Sequence, residues 1–187
     1  MARKPREEVA DGIFHVFARG AAQQAIFLGD ADRLRYLAGL GRVVGRREWN
    51  CLSYCLMDNH VHLLLKTPNA NLGEGMHGLH GDYAQIFNRR HGRRGHLFQS
   101  RYGAVRVRDD VQMWTVAAYI ARNPCQAGLA ERPEDWRWSS FAATIGAPGP
   151  AWLDTAHLLE HFNALGGDPR HQYEDLVRRG MHGAAPR

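Results

Sequence analysis

The chain has 187 residues, three cysteines and a net charge of +5 at pH 7, a length that predicts one domain burying roughly 70% of its unfolded surface. The number of cysteines is odd, and they are widely spaced, at Cys51, Cys55 and Cys125. This pattern argues for a reducing compartment and against a disulfide framework. The basic N-terminus lacks the apolar core of a secretory signal, and no apolar run approaches the ~20 residues of a membrane span. We therefore expect a soluble, cytoplasmic protein with no membrane partner.

Hydrophobic periodicity predicts four strands and three helices before Pro124. In chain order they are a strand at 12–20, a helix at 30–45, strands at 49–57 and 60–66, a helix at 71–92, a strand at 101–108 and a helix at 110–123. Asp30 is the expected N-cap of the first helix, and Pro124 is expected to end the third. An irregular tryptophan-bearing segment follows, and residues 155–180 are expected to form one or two further helices.

The order of these elements, β-α-β-β-α-β, is that of the ferredoxin-like split β-α-β arrangement. It predicts an α+β sandwich in which four antiparallel strands carry two helices on one face. The other face of the sheet is then free to carry polar side chains, and a tyrosine-bearing helix follows the fourth strand.

Two histidines flank a single valine in the strand at 60–66. Because strand side chains alternate faces, His60 and His62 point the same way and could reach one ion or one phosphate. On its own, such a pair is more often structural or incidental than a metal site.

The helix at 110–123 is apolar around most of its circumference. At 100° per residue its polar stripe spans about 100° and consists of Gln112, Thr115, Tyr119, Arg122 and Asn123. Tyr119 and Asn123 are four residues apart, so their side chains are neighbours. Judged alone, this pair would be a tyrosine at the border of a core and an asparagine near a helix end.

A stretch from Tyr83 to Arg108 contains no Asp or Glu. Its arginines are Arg89, Arg90, Arg93, Arg94, Arg101, Arg106 and Arg108. Arginine suits bidentate phosphate contact, and the interleaved Phe87, Phe98 and Tyr102 could stack on bases of a single strand. The alternative is a charged face that serves only solubility.

Together, these features resemble the HUH signature (His–hydrophobic–His) of the IS200/IS605-like single-tyrosine transposases, and in particular their REP-associated branch. The matching segments occur in the family's order over about residues 4–145: IFHVFARG, YCLMDNHVHLLLKTP, FNRRHGRRGHLFQSRYGAV, YIARNPCQAGL and WRWSSF. Residues 146–187 match none of its blocks. We therefore assign 1–145 to an HUH endonuclease domain and 146–187 to a C-terminal helical extension.

The resemblance implies a metal site and a nucleophile. His60, His62 and Asn123 would bind a divalent metal, expected to be Mg²⁺ or Mn²⁺, and Tyr119 would attack the phosphate. The residues expected to contact DNA are Arg19, Arg89, Arg90, Arg93, Arg94, Phe98, Arg101, Tyr102 and Arg106. Three departures from the family pattern are RGAAQQ after Arg19, Asp58 in place of proline, and Gln126 in place of arginine.

The implied activity is cleavage of single-stranded or hairpin DNA through a 5′-phosphotyrosine link, which a second 3′-hydroxyl could reverse without ATP or another nucleotide cofactor. The implied substrate is a hairpin of REP type, and the enzyme would act at the nucleoid. The sequence leaves open whether the chain is a monomer or a homodimer, and whether it mobilises DNA or only processes chromosomal repeats.

Three other functions compete with this one. The chain could be a metal phosphodiesterase of the same fold that uses water, or a non-catalytic protein that binds repeat hairpins. A structural zinc protein fits worst, since closed zinc sites favour cysteine–histidine sets and no cysteine lies near His60 and His62.

Overall fold

The computed structural model describes residues 9–182. The first eight residues of the basic N-terminal segment and residues 183–187 of the extension lie outside the described range. The strands are β1 (Gly12–Arg19), β2 (Asn50–Leu56), β3 (His60–Thr67) and β4 (Gly103–Val107). The α-helices are α1 (Asp30–Arg47), α2 (Leu72–Arg90), α3 (Asp110–Gln126), α4 (Phe141–Thr144), α5 (Thr155–Glu160) and α6 (Pro169–His182).

The four strands form one antiparallel sheet in the order β2-β3-β1-β4. This confirms the predicted ferredoxin-like α+β arrangement. The β1–β3 register pairs Phe17 with His62 and Arg19 with His60. Since residues directly opposite each other share a face, this register decides which side chains of β1 accompany the two histidines.

The face of the sheet away from the histidines carries the larger core. Side chains from β1 and β3, including Phe14, Val16 and Leu63, pack there against α1 and α2, as the sequence predicts. Leu40 of α1 and Met76 of α2 are both fully buried in this cluster. These contacts hold α1 and α2 against one face of the sheet, and the opposite face remains for the functional side chains.

The histidine face carries polar side chains, as predicted, but another part of it is apolar and covered by helices. Leu52 and Leu64 lie on it and are fully buried against α3 and the C-terminal helices. Their apolar side chains need a cover that α1 and α2 cannot supply from the other side. Phe162 and Tyr173 complete this second cluster, so the extension packs on the back of α3.

The end of α3 also differs from the prediction. Pro124 lies inside the helix, which continues to Gln126. Proline has no backbone N–H, so the hydrogen bond that residue 124 would otherwise donate to the carbonyl of Ile120 is missing, and the helix continues for two residues in spite of this loss. The helix is then closed by the amide of Ala127, which donates to the carbonyl of Asn123 at 3.0 Å. Pro124 thus permits the turn that carries Asn123 rather than ending it.

The start of α1 is capped differently as well. Gly29 is the N-cap residue and Asp30 is already helical. No side chain of the described residues caps the first turn, and the carboxylate of Asp32 instead accepts a hydrogen bond from the amide of Leu28, just before the helix, at 2.9 Å. Asp30 instead pairs with Arg137 at 3.0 Å. Both carboxylates remain favourable at the positive end of the helix dipole.

No helix within residues 9–182 combines the length and the apolar character needed to cross a membrane. The described helices serve instead to cover the two faces of the sheet.

The packing of the extension on α3 predicts a large cost for truncating Phe162. This side chain is fully buried, with its ring centroid 5.2 Å from that of Tyr173. We expect Phe162→Ala to lower the free energy of unfolding by about 3–5 kcal/mol in urea titrations. Leu165→Ala is the matched control: Leu165 is 40% exposed, and its loss should change stability by no more than about 0.5 kcal/mol. Equal effects of the two changes would contradict the packing described.

Candidate active site

The histidine face of β1 and β3 gathers a compact group of side chains. His15, Phe17 and Arg19 alternate along β1, and the register places them beside His60 and His62 of β3. The ring centroids of His60 and His62 are 5.0 Å apart, and those of His15 and His62 are 5.1 Å apart. Three imidazoles therefore share one patch of the sheet.

His60 has both ring nitrogens next to amide oxygens. Its Nδ1 lies 2.7 Å from Oδ1 of Asn59, and its Nε2 lies 3.0 Å from Oδ1 of Asn123. A neutral imidazole carries a single N–H and can donate to only one of them. If Nδ1–H donates to Asn59, the lone pair of Nε2 faces the lone pairs of the Asn123 oxygen.

His62 shows a matching arrangement. Its Nδ1 lies 3.0 Å from Nε2 of His15. Its Nε2 is buried and has no hydrogen-bond partner in the described part of the chain. In both histidines Nδ1 has a protein partner, while Nε2 is directed to a place where the chain supplies no donor.

These atoms fit a divalent cation. Metal-binding histidines commonly donate one ring N–H to an outer partner and present the other nitrogen to the ion. Two ligand atoms on adjacent corners of an octahedron with bonds of about 2.1 Å lie about 3.0 Å apart, which matches the separation of His60 Nε2 and Asn123 Oδ1. No three histidine, cysteine or carboxylate side chains within residues 9–182 form a metal site, so the amide oxygen would complete the set.

Burial keeps these imidazoles neutral. Desolvation lowers the pKa of His62 to about 3, and the neighbouring His15 and His60 reinforce the shift. Desolvation alone lowers the pKa of His15 to about 4. The pKa of His60 is also lowered, chiefly by desolvation, although its contact with Asn123 opposes the shift. Neutral imidazole is the form that binds metals, so burial prepares the site without a nearby carboxylate ligand.

Tyr119 differs from every other tyrosine in the chain. Its side chain is 37% exposed, whereas the remaining five are between 0% and 5% exposed: Tyr36, Tyr54, Tyr83, Tyr102 and Tyr173. Burial raises the pKa of Tyr36, Tyr83 and Tyr173, and it raises that of Tyr54 to about 12. The Tyr119 ring lies 5.2 Å from the His62 ring, centroid to centroid. It is the only tyrosine that an external group can reach easily.

A cavity of about 400 Å³ opens over this group. His60, His62 and Tyr119 form one wall, and Arg19 and Arg101 form part of the rim. The structure thus brings two of the predicted DNA-contacting arginines to the histidine pair. An anionic group entering the cavity would meet cationic side chains before it reached the tyrosine.

The other predicted DNA contacts lie elsewhere. Arg89 and Arg90 end α2 on the helical side, and Arg106 shares the face of Phe14, opposite the histidines. Arg94 is exposed but does not line the cavity. Arg93 bonds to Gln24 and lies over the ring of Phe87. The arginine-rich stretch is therefore not one continuous strip beside Tyr119.

The two predicted stacking rings also differ in position. Tyr102 is only 5% exposed, which leaves little ring surface for a base. Phe98 is half-buried and stacks on His80 at a centroid distance of 4.3 Å. The DNA contacts assigned to these residues stay predictions.

The sequence analysis missed His15 and Asn59, which contact the Nδ1 atoms of His62 and His60 and would be their outer partners around a bound metal. His15 stands alone in IFHVFARG, and only the pairing of β1 with β3 shows that it faces His62. Asn59 directly precedes the histidine pair in the sequence. A polar residue at that position of the turn was the available signal for an outer partner.

The departures from the family pattern have structural partners. Asp58 in the β2–β3 turn pairs with Arg33, whose guanidinium lies 5.5–5.7 Å from the rings of Phe27, Trp136 and Trp138. This anchors the turn directly before His60. The segment after Arg19 forms a short 3₁₀ turn at Ala21–Gln23, and its backbone carbonyl at Gln23 accepts from Asn59 at 3.1 Å.

Comparison with known proteins identifies the family. The model of the family described as "Transposase IS200 like" matches residues 8–123, more than half of the chain. This chain belongs to the IS200-like transposase family, which confirms the resemblance read from the motifs.

Two similar proteins carry the REP-associated name. A Haemophilus influenzae protein named "Putative REP-associated tyrosine transposase" is 26% identical over an alignment of 107 residues, and the match covers 51% of this chain and 61% of that relative. The chain thus spans less than two thirds of the relative's length. A solved structure of a REP-associated tyrosine transposase bound to a REP hairpin has a TM-score of 0.65 at 16% identity, covering 78% of this chain and 86% of the other. At that identity the likeness shows the fold.

The desolvation of His80, a half-buried residue near this site, predicts a specific pH dependence of stability. Desolvation lowers its pKa from 6.5 to about 3, so below pH 6.5 the unfolded chain binds a proton that the folded chain does not. The stability is therefore complete above pH 6.5 and is lost as the pH falls toward 3. Between those values, His80→Gln should reduce the slope of stability against pH by up to about 1.4 kcal/mol per pH unit.

Urea titrations at several pH values would measure this slope. The control is His77→Gln, which makes the same replacement at an exposed position of the same helix. An unchanged slope in His80→Gln would contradict the neutral state of this ring.

Proposed function

We propose that this chain is a metal-dependent enzyme that nicks and rejoins single-stranded DNA, with Tyr119 as its nucleophile and REP-type hairpins as its substrate. The observation that carries the proposal is the position of the one exposed tyrosine, beside the unpartnered Nε2 of His62 and in a cavity rimmed by arginines. Membership in the IS200-like transposase family supports the reaction class. The REP hairpin bound to the structural relative supports the substrate class.

The chain's own residues supply most of what the reaction needs. Arg19 and Arg101 would receive the scissile phosphate and offset its charge. His60, His62 and Asn123 would hold a divalent metal, proposed to be Mg²⁺ or Mn²⁺, since imidazole and amide donors accept these and other divalent ions. When bound, the metal would supply Lewis-acid polarisation of the phosphate.

Tyr119 would then exchange one phosphate ester for another. Its phenolic oxygen bonds to phosphorus while the bond from phosphorus to the 3′-oxygen breaks, and that oxygen leaves as a 3′-hydroxyl after taking a proton. The product is a 5′-phosphotyrosine link. Because this link is also a phosphodiester, a second 3′-hydroxyl can attack it, restore a DNA strand and release Tyr119 without a nucleotide cofactor.

The position of Tyr119 predicts a strict requirement for its hydroxyl. With a labelled hairpin that has single-stranded flanks and with Mn²⁺, the wild type should leave a covalent protein–DNA adduct that survives denaturing electrophoresis. We expect Tyr119→Phe to abolish the adduct and to reduce cleavage by several orders of magnitude. Mass spectrometry of the adduct should identify residue 119.

Two outcomes of the same assay would favour other functions. Rapid cleavage without an adduct, undiminished in Tyr119→Phe, would indicate that water is the nucleophile. Hairpin binding without cleavage under any divalent ion would indicate a non-catalytic repeat-binding protein.

The contact between His15 and His62 predicts that His15 supports metal binding. Nε2 of His15 lies 3.0 Å from Nδ1 of His62, and in the tautomer in which it accepts the Nδ1–H of His62, Nε2 of His62 is left free for the ion. We expect His15→Ala to weaken Mn²⁺ affinity by about 10- to 100-fold, measured by titration calorimetry or by the EPR signal of free Mn²⁺. The control is Val105→Ala, since Val105 pairs with His15 across the strands but is 57% exposed. Wild-type affinity in His15→Ala would contradict this role.

A further inference from the structure

A second and larger cavity lies beside the candidate active site. It measures about 970 Å³ and lies between one side of α2 and the loop that leads to β4, residues 95–102. Its volume is at the upper end of the range for sites that enclose small organic groups. None of the metal-binding or nucleophilic roles assigned above involves it.

One wall of this cavity is a rigid aromatic surface. The rings of His80 and Phe98 stack at 4.3 Å with 19° between their planes. His80 is held in place by the hydroxyl of Tyr36, 3.1 Å from its Nε2, and Tyr102 meets it edge-on at 6.4 Å. Flat rings that are already fixed lose little entropy when another flat ring packs beside them.

Polar groups surround this wall. His77, His96 and Arg101 line the cavity and are exposed. Imidazole and guanidinium groups can bond to the edge of a nucleobase and to a phosphate respectively. This combination of a ring surface with basic groups is the one that single-stranded nucleic acid requires.

The two cavities adjoin each other. Gln99, Ser100 and Arg101 line both of them. The backbone of this segment is tied to the end of β1, since the amide of Gln99 donates to the carbonyl of Arg19 at 2.9 Å. A strand with one phosphate beside Tyr119 could therefore pass over residues 99–101 and extend into the larger cavity.

We propose that the cavity between α2 and residues 95–102 binds an unpaired nucleobase of the substrate strand, next to the phosphate that Tyr119 attacks. The base packs against the His80–Phe98 surface while Arg101 contacts the connecting phosphate. The inference rests on the proposed function for the identity of the strand, but its test measures binding and not cleavage.

Gly81 offers a way to fill the cavity without touching its ring wall. It lies in α2 and lines the cavity, and a Cβ atom added there would meet no atom of another part of the chain within 4 Å. Gly78, on the same helix, is equally open but does not line the cavity. Gly81→Leu and Gly78→Leu are therefore a matched pair, and both replace a glycine inside a helix with a better helix former.

Fluorescence anisotropy without divalent metal would compare two kinds of probe. One set comprises oligonucleotides of dA, dC or dT of about 16 nucleotides, the upper end of the usual site size. The other probe is an abasic strand with the same number of phosphates. We expect the wild type to bind at least one base-bearing strand about 5- to 150-fold more tightly than the abasic strand.

Gly81→Leu should lose most of that preference while keeping its affinity for the abasic strand, and Gly78→Leu should behave as the wild type. Ala84→Phe, which fills the same cavity from the next turn, should repeat the result of Gly81→Leu. The inference would be overturned if both cavity-filling variants preferred base-bearing over abasic strands as strongly as the wild type does. It would also be overturned if the wild type itself showed no such preference.

The hairpin nicking assay separates this inference from the proposed function. If the wild type forms the Tyr119 adduct and Gly81→Leu keeps the full preference for base-bearing strands, the proposed role of the cavity is refuted and the proposed function is not. A preference for bases that Gly81→Leu removes, in a protein that cuts no DNA, would refute the nuclease and leave the base-binding cavity standing.

Discussion

The packing of α3 across the histidine face of the sheet is the contact on which the candidate site depends. Met113, Ala117 and Ala121 are buried on the side of α3 within the second core. Because successive residues of a helix are 100° apart, this buried side fixes where the polar stripe points. Tyr119 and Asn123 are thereby brought to the two histidines of β3, and a rotation by a single residue would carry both away.

The site also depends on which nitrogens of the histidine rings carry protons. Burial keeps the imidazoles uncharged, and Asn59 and His15 each occupy the Nδ1 side of one histidine. These two constraints together leave the Nε2 lone pairs as the open coordination positions of the patch. The same group therefore combines ligand atoms that favour a cation with arginines at the rim that favour an anion, which is the combination a metal–phosphate complex needs.

The sequence predicts those parts of the molecule that depend on local periodicity. Alternation identifies β1 and β3 and places His60 and His62 together, and the helical wheel isolates Tyr119 with Asn123. It fails where distant segments decide the result. The cover over Leu52 and Leu64 comes from α3 together with residues beyond 150. The role of His15 follows from strand register, and α3 continues to Gln126 although Pro124 has no backbone donor. The resemblance supplied the expected function of the patch, whereas its outer partners became visible only in three dimensions.

The way α3 is fastened has a consequence for how the chain could assemble. Its first turn is tied to the extension, since the indole of Trp114 donates to the carbonyl of His161 at 2.8 Å and His161 also pairs with Asp110 at 2.8 Å. Exchanging α3 between two molecules would require these bonds and the apolar packing around Phe162 to open before they could re-form between the chains. Within a single polypeptide, the Tyr119 ring already lies 5.2 Å from that of His62.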